Sequence, residues 1–258
     1  ISRRVFAVMR EELEVVEQYS VDEAFFKLDE PDVTTLQRVK QAVETRVGIP
    51  VSIGLAQTKT LAKYANSVAK KGRGVYVLTP ADWTTKQKEV SLASIWGVGG
   101  KLELAYKRHN LFTVHDLLQA SHAMVQKQFG VTGVRLQSEL RGQSVFSLET
   151  KQEPQKSIIS SRTFREETTE ISVLHDAVAY HVRQAVSDLR DMNQQATRIR
   201  VSIMTNRFGD FLLRGGSEEY TFDQPTNNYK DFLLVANDLV AKLYEPAVRY
   251  KKAGIALT

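Results

Sequence analysis

Two adjacent carboxylates, Asp22 and Glu23, lie in the run Tyr19-Ser-Val-Asp-Glu-Ala-Phe-Phe26, with Val15 and Val16 before it and Leu28 after it. Apolar flanks of this kind predict a β-hairpin or two short strands, with the acidic pair at the tip. Two like charges held close together cost free energy unless a cation or solvent compensates them. Mg²⁺ does so with one or two carboxylates plus substrate phosphates. An exposed acidic turn is the other reading, and the local sequence leaves both open.

A second group of chemistry-bearing residues follows. Lys59, Lys63, Asn66 and Lys70 recur at steps of four, three and four, so they share one face of a helix expected over about 58–70. Leu61, Ala62, Ala65, Val68 and Ala69 form the apolar stripe of that helix. A row of ammonium groups without interposed acids repels itself, and a polyanion would relieve it. A solvated lysine face is the alternative. Lys70-Lys71-Gly72-Arg73-Gly74 supplies the glycine stop.

Ile95-Trp-Gly-Val-Gly-Gly-Lys101 opens a helical run to about His109, and a second helix begins near Leu111. Glycines such as Gly97 and Gly99 let backbone N–H groups at a helix N-terminus come close to a phosphate. They also suit a plain interhelical turn. Further on, alternation in Arg198-Ile-Arg-Val-Ser-Ile203 places Arg198, Arg200 and Ser202 on one strand face and the aliphatic residues on the other. Arg162, Arg165, Arg207, Lys251 and Lys252 add positive charge near other strands. Such a face suits a nucleic-acid backbone or is an ordinary solvated surface. His109, His115, His122, His175 and His181 have no metal-ligand spacing and receive no role.

The elements that must position these groups alternate in type. A helix over 1–13 leads into the hairpin. Pro31 opens a helical stretch to about Val47, Val51–Leu55 and Val75–Leu78 read as strands, and the lysine helix lies between them. This is an α+β pattern with helices packed on a sheet. Residues 91–150 read as helical. The polar segment around Pro154 reads as a tether. From 157 onward the order is strand, helix, strand, strand, helix, strand.

Composition sets the outer limits. With 258 residues, 25% of them charged and 42% hydrophobic, the chain is long enough for two domains, or for one domain with appendages. The absence of cysteine excludes disulfide, thiolate and zinc-thiolate chemistry and fits a reducing compartment. No apolar run reaches membrane-spanning length, and Ile-Ser-Arg-Arg is no signal peptide. The formal net charge of +5 divides as +2 over 1–90, +3 over 91–156 and zero over 157–258. A nucleic-acid surface must therefore come from placement and not from bulk charge.

Taken in order, Tyr19-Ser-Val-Asp-Glu-Ala-Phe25, Gly54-Leu-Ala-Gln-Thr-Lys-Thr-Leu-Ala-Lys63, Ile95-Trp-Gly-Val-Gly99 and Ser160-Ser-Arg-Thr-Phe164 resemble the Y-family translesion DNA polymerases, in particular the UmuC-type branch. The resemblance covers essentially the whole chain. It implies a partial polymerase palm at 1–90, an all-α helix-hairpin-helix thumb at 91–150, a linker at 151–156 and a βαββαβ little-finger domain at 157–258. It further implies that Asp22 and Glu23 are catalytic and help to place two Mg²⁺ ions, and that Lys70 contacts the incoming triphosphate. Gly97, Gly99 and Lys101 would grip the duplex backbone, as would Arg162, Arg165, Arg198 and Arg200. The implied partners are primer-template DNA and dNTP, with a UmuD-like subunit, a recombinase filament and a sliding clamp beside them. The implied setting is the bacterial cytoplasm, in error-prone SOS repair, with no membrane.

Two departures qualify this. The family's further metal-binding aspartate and its fingers domain have no counterpart in the sequence, and Lys71 stands where proline is common. The chain is therefore expected to be a fragment, inactive alone. The parent would be a template-directed DNA polymerase. The competing expectation is a non-catalytic DNA-binding or regulatory module derived from one.

Overall fold

The computed structural model describes residues 1–29, 32–149, 155–206 and 214–258. The expectations for Pro31, Arg207 and linker residues 151–154 fall outside these. The chain divides into two units, Ile1–Gln152 and Glu153–Thr258.

In the first unit, helix α1 (Ser2–Glu12) buries Phe6 and Val8 and packs against α2 (Val33–Val47). Asp32 caps α2 by accepting from the backbone N–H groups of Thr34 and Thr35, and Gly48 ends it in the left-handed region at φ 83°. Strands β1 (Val16–Gln18) and β2 (Ala24–Phe26) pair antiparallel, Val16 opposite Phe26. Strand β3 (Ile53–Leu55) pairs in parallel with β4 (Val75–Val77), and α3 (Lys59–Lys71) makes the crossover. The two strand pairs are separate sheets. Gly54 is required where α3 crosses β3, because a Cβ there would lie 2.0 Å from the Asn66 nitrogen.

The rest of the unit is helical: α4 (Pro80–Lys86), α5 (Gly100–Arg108), α6 (Val114–Gln119) and α7 (His122–Leu140). The helix leading into the Gly97–Gly99 turn is a single 3-10 turn, Leu92–Ser94. Helix α7 kinks at Gly130, φ 62°. One core joins Leu61, Ala65 and Leu78 to Trp83, Tyr106, Leu117 and Leu140, so packing runs through the expected boundary at residue 90. Burial pushes the Tyr106 phenol up to about 12.

The second unit is β5 (Ile158–Thr168), α8 (Ile171–Asp191), β6 (Ala196–Thr205), β7 (Gly215–Thr226), α9 (Tyr229–Leu243) and β8 (Tyr250–Leu257). The βαββαβ order is the one expected, and the fold class is α+β. The strands form an antiparallel sheet in the order β5-β8-β6-β7. Both helices cover one face, where Ile199, Val201, Ile203 and Ile255 meet Leu174, Val178, Phe232 and Val240. The other face is open.

Candidate active site

The acidic pair sits in the β1–β2 turn. Tyr19 and Ser20 both donate backbone N–H groups to the Glu23 carbonyl, at 3.0 and 3.1 Å, which closes the turn. The two side chains then diverge in environment. Asp22 is exposed and accepts a 2.7 Å hydrogen bond from the Ser20 hydroxyl. Glu23 is half-buried and forms an ion pair with Lys63 of α3.

The lysine face of α3 is thus not the uncompensated row that the helical spacing suggests. Its acids come from the hairpin, 40 and 42 residues away. Lys59 meets Glu17 of β1 at 2.5 Å, with only 11% and 8% of the two side chains exposed. The same Glu17 oxygen accepts from the Glu149 N–H at 2.9 Å. Lys59 also stands 5.0 Å from the centre of the Phe25 ring, and Lys63 stands 5.8 Å from that of Tyr19. Lys70 is exposed. The cation that offsets the acidic pair in this structure is the Lys63 ammonium.

Asp22, Glu23, Lys63, Asn66 and Lys70 line one cavity of about 550 Å³. Its walls include Ala24–Phe26 of β2 and Ser52–Gly54 at β3, so each of the two sheets contributes one strand. The Asn66 Oδ1 is buried without a hydrogen-bond partner. Among the described residues no group of three His, Cys, Asp or Glu converges as a metal cage. Asp22 and Glu23 still offer the hard oxygen donors that Mg²⁺ takes from a protein when water and phosphate oxygens complete its shell. The donor set fits that mode and not an all-protein cage.

The Gly97 turn is tied to this hairpin by aromatic packing. The Trp96 ring lies 5.5 Å from Tyr19, 5.7 Å from Phe25 and 6.0 Å from Phe146. Gly97 has φ 89°, and Gly99 is the N-cap of α5 with no side chain to cap it. A Cβ at either glycine would meet nothing within 4 Å, so the turn has open space in front of it. Lys101 is exposed in the first turn of α5. Unsatisfied N–H groups at an open helix start are suited to an anion.

In the second unit, Arg198 and Arg200 lie on the open face, as alternation predicts. Both meet Glu219 of β7, at 3.7 and 2.7 Å. The hydrogen bond from Arg200 holds the Glu219 carboxyl below its ordinary range. Arg162 is not with them. Its register partner is buried Ala253, and Ser160, two residues earlier, bonds His181 of α8 at 2.8 Å, so this side of edge strand β5 faces the helices. Arg165 is exposed where the β5–β8 register shifts, and its carbonyl accepts from Lys251. The expected four-arginine surface is therefore two arginines on the open face and two along the β5 edge. His181, read from sequence as plain, is 4% exposed, and burial, then nearby Arg162, lowers its pKa.

A family model described as the impB/mucB/samB family matches residues 1–67, and one for the C-terminal domain of that family matches residues 155–258. The chain belongs to the impB/mucB/samB family. The relatives that the chain matches include UmuC-type proteins and DNA polymerase IV. All of the chain aligns with Protein UmuC of Salmonella typhimurium at 31% identity, covering 64% of that protein. DNA polymerase IV of Brucella melitensis is 30% identical over 83% of the chain and 48% of that protein. The chain thus spans less than two thirds of these relatives. A Y-family DNA polymerase chimera of Dbh and Dpo4 shares the fold with a TM-score of 0.74 at 19% identity, over 99% of this chain and 74% of that one. DinB from Sulfolobus solfataricus matches over the same shares with a TM-score of 0.51. Among the described residues no helix is long and apolar enough to cross a membrane.

Proposed function

We propose that the chain carries the nucleotidyl-transfer site of a template-directed translesion DNA polymerase. The observation that carries this reading is the shared cavity: both acidic residues and Lys63 and Lys70 of α3 line it together. In this reading residues 1–90 are palm, 91–150 thumb, 151–156 tether and 157–258 little finger. Asp22 and Glu23 would hold Mg²⁺. Bound there, the ion would lower the pKa of a primer 3′-hydroxyl and neutralise the triphosphate.

The chain's own groups do the rest. Lys70, exposed at the cavity, donates to triphosphate oxygens. Lys63 holds Glu23 in place through their ion pair until a cation shares the carboxylate. The open N–H groups near Gly97 and Gly99, with Lys101, hold a backbone phosphate of the duplex. Arg198 and Arg200 hold others, with Arg162 and Arg165 at the sheet edge. These are contacts to phosphates and carry no base information. A UmuD-like subunit, a recombinase filament and a sliding clamp belong to this reading as partners without an assigned surface, and the bacterial cytoplasm as its setting.

A second reading, a DNA-binding module without catalysis, is favoured by two observations. Glu23 is already neutralised by Lys63, and no third carboxylate joins the pair among the described residues. On that ground the chain by itself is proposed to bind substrates without turning them over. Primer extension by the whole gene product, with Mg²⁺ and dNTPs, separates the readings. Asp22→Ala or Glu23→Ala should lower extension by about three orders of magnitude or more. Near-normal extension by either variant would refute the site. DNA binding without any extension by the unmutated product would favour the module.

A further inference from the structure

We infer that Glu139 is a positioning residue for Lys63 and Lys70, the cavity-lining lysines of α3, an assignment that rests on the reading of the cavity given above. Glu139 lies on α7, remote in sequence from every residue of the cavity, and is 0% exposed. A carboxylate so deep is costly unless it is fully hydrogen-bonded. It accepts three backbone N–H groups: Thr60 at 3.0 Å on one oxygen, and Val145 and Phe146 at 2.8 and 3.3 Å on the other.

Thr60 is in the first turn of α3. Its N–H is one of the donors that a helix leaves unsatisfied at its start. The usual remedy is a local cap, and Thr58 supplies one by accepting from the Leu61 N–H at 3.2 Å. Glu139 supplies a second cap from 79 residues away. The carboxyl oxygens at this end also face the positive pole of the helix. The Thr58 hydroxyl in turn donates to the Glu139 carbonyl at 3.0 Å, so side chain and backbone of one residue grip the same helix end.

This grip fixes both the axial position and the rotation of α3. Lys63 and Lys70 project from the same rigid helix into the cavity, so a shift at the start moves both ammonium groups relative to Asp22 and Glu23. The other oxygen of Glu139 holds Val145 and Phe146, and Phe146 packs on Trp96 beside the Gly97 turn. One buried carboxylate therefore sets the lysines and supports the aromatic cluster behind the acidic hairpin. Replacing it by glutamine keeps the size, removes the charge and turns an NH₂ group toward one of the N–H donors.

The test is the preference of the chain for a triphosphate over a monophosphate, since a loss of fold alone weakens both alike. With Mg²⁺ present, the ratio of dAMP to dATP dissociation constants is measured by calorimetry below the melting temperature of each variant. Lys70→Ala sets the low limit of the ratio. Glu139→Gln should lower the ratio about tenfold, the equivalent of one charge-assisted hydrogen bond misplaced. Thr58→Ala, which leaves the carboxylate intact, should shift it in the same direction and carries the test if Glu139→Gln does not fold. An unchanged ratio in the variants, or equal weakening of both ligands, overturns the assignment while the cavity reading stands. No triphosphate preference in the unmutated chain overturns both.

Discussion

Glu17 and Glu23 each hold a lysine of the same helix, but at different depths, and the depth decides what each is worth. The Glu17–Lys59 pair is almost wholly buried, whereas Glu23 and Lys63 are 32% and 20% exposed. Removing one partner of a buried pair strands the other charge. Glu17→Ala should therefore cost about 3 kcal/mol, and it also frees the Glu149 N–H. Glu23→Ala should cost about 1 kcal/mol, because water takes over part of the work. Urea denaturation of the two variants checks the order, and equal losses would contradict it. The acidic pair and the lysine spacing were legible because residue type and local period suffice to find them. Their pairing was not, since Glu17 and Glu23 reach α3 only through the tertiary fold. Glu139 gave no local signal at all: in sequence it is one acid on an amphipathic helix.

Caps and glycines made most elements legible, and close approaches between elements were the part that sequence hid. Asp32, Thr58 and the Gly48 stop mark helix ends that the periodicity already suggested. Helix α4 was not anticipated, since seven residues are too few for a period to register, and the 3-10 turn before Gly97 is shorter still. Gly54 reads in sequence as one glycine in a strand. In the structure it is where α3 rests on β3, and Gly54→Ala drives a methyl into the backbone at Ala65 and Asn66. Backbone cannot swing aside as a side chain can, so the substitution should cost about 3 kcal/mol or more. A melting temperature close to that of the parent would contradict this contact. A second element-level prediction concerns α8 on β5. His181 is held neutral by burial, with Arg162 close by, so its folded pKa lies below the ordinary 6.5. The unfolded chain then binds more protons, and stability rises with pH through this window. The contribution is whole above pH 6.5 and is lost as pH falls toward the lower folded value. Thermal melts from pH 7.5 to 5 should show the second unit weakening, and His181→Gln should flatten that slope. An unchanged slope in the variant would assign the pH dependence elsewhere.

At the scale of the whole molecule the net charge is small, so a nucleic-acid surface would have to come from the placement of basic groups. Arg198 and Arg200 share the open sheet face but also share Glu219, so only part of their charge is available to a polyanion. In the proposed reading Lys101 and the open turn at Gly97 would add a further contact from the other unit. Counting only Arg198, Arg200 and Lys101, without the edge arginines Arg162 and Arg165, three phosphate contacts imply a fall in duplex affinity of at least roughly 40-fold between 0.05 and 0.2 M salt, with little sequence preference. Arg198→Ala with Arg200→Ala should lower the log–log slope by about 2. A slope near zero, or sharp sequence selectivity, would contradict backbone binding. The central claim is that one cavity gathers a nucleotide's phosphates between the acidic hairpin and α3. Mn²⁺, followed by water proton relaxation as a stand-in for Mg²⁺, tests it most directly. The account predicts Mn²⁺ binding to the chain that strengthens when dATP is added and weakens by about tenfold or more in both Asp22→Ala and Lys70→Ala. Binding indifferent to dATP, or unchanged in both variants, would contradict it.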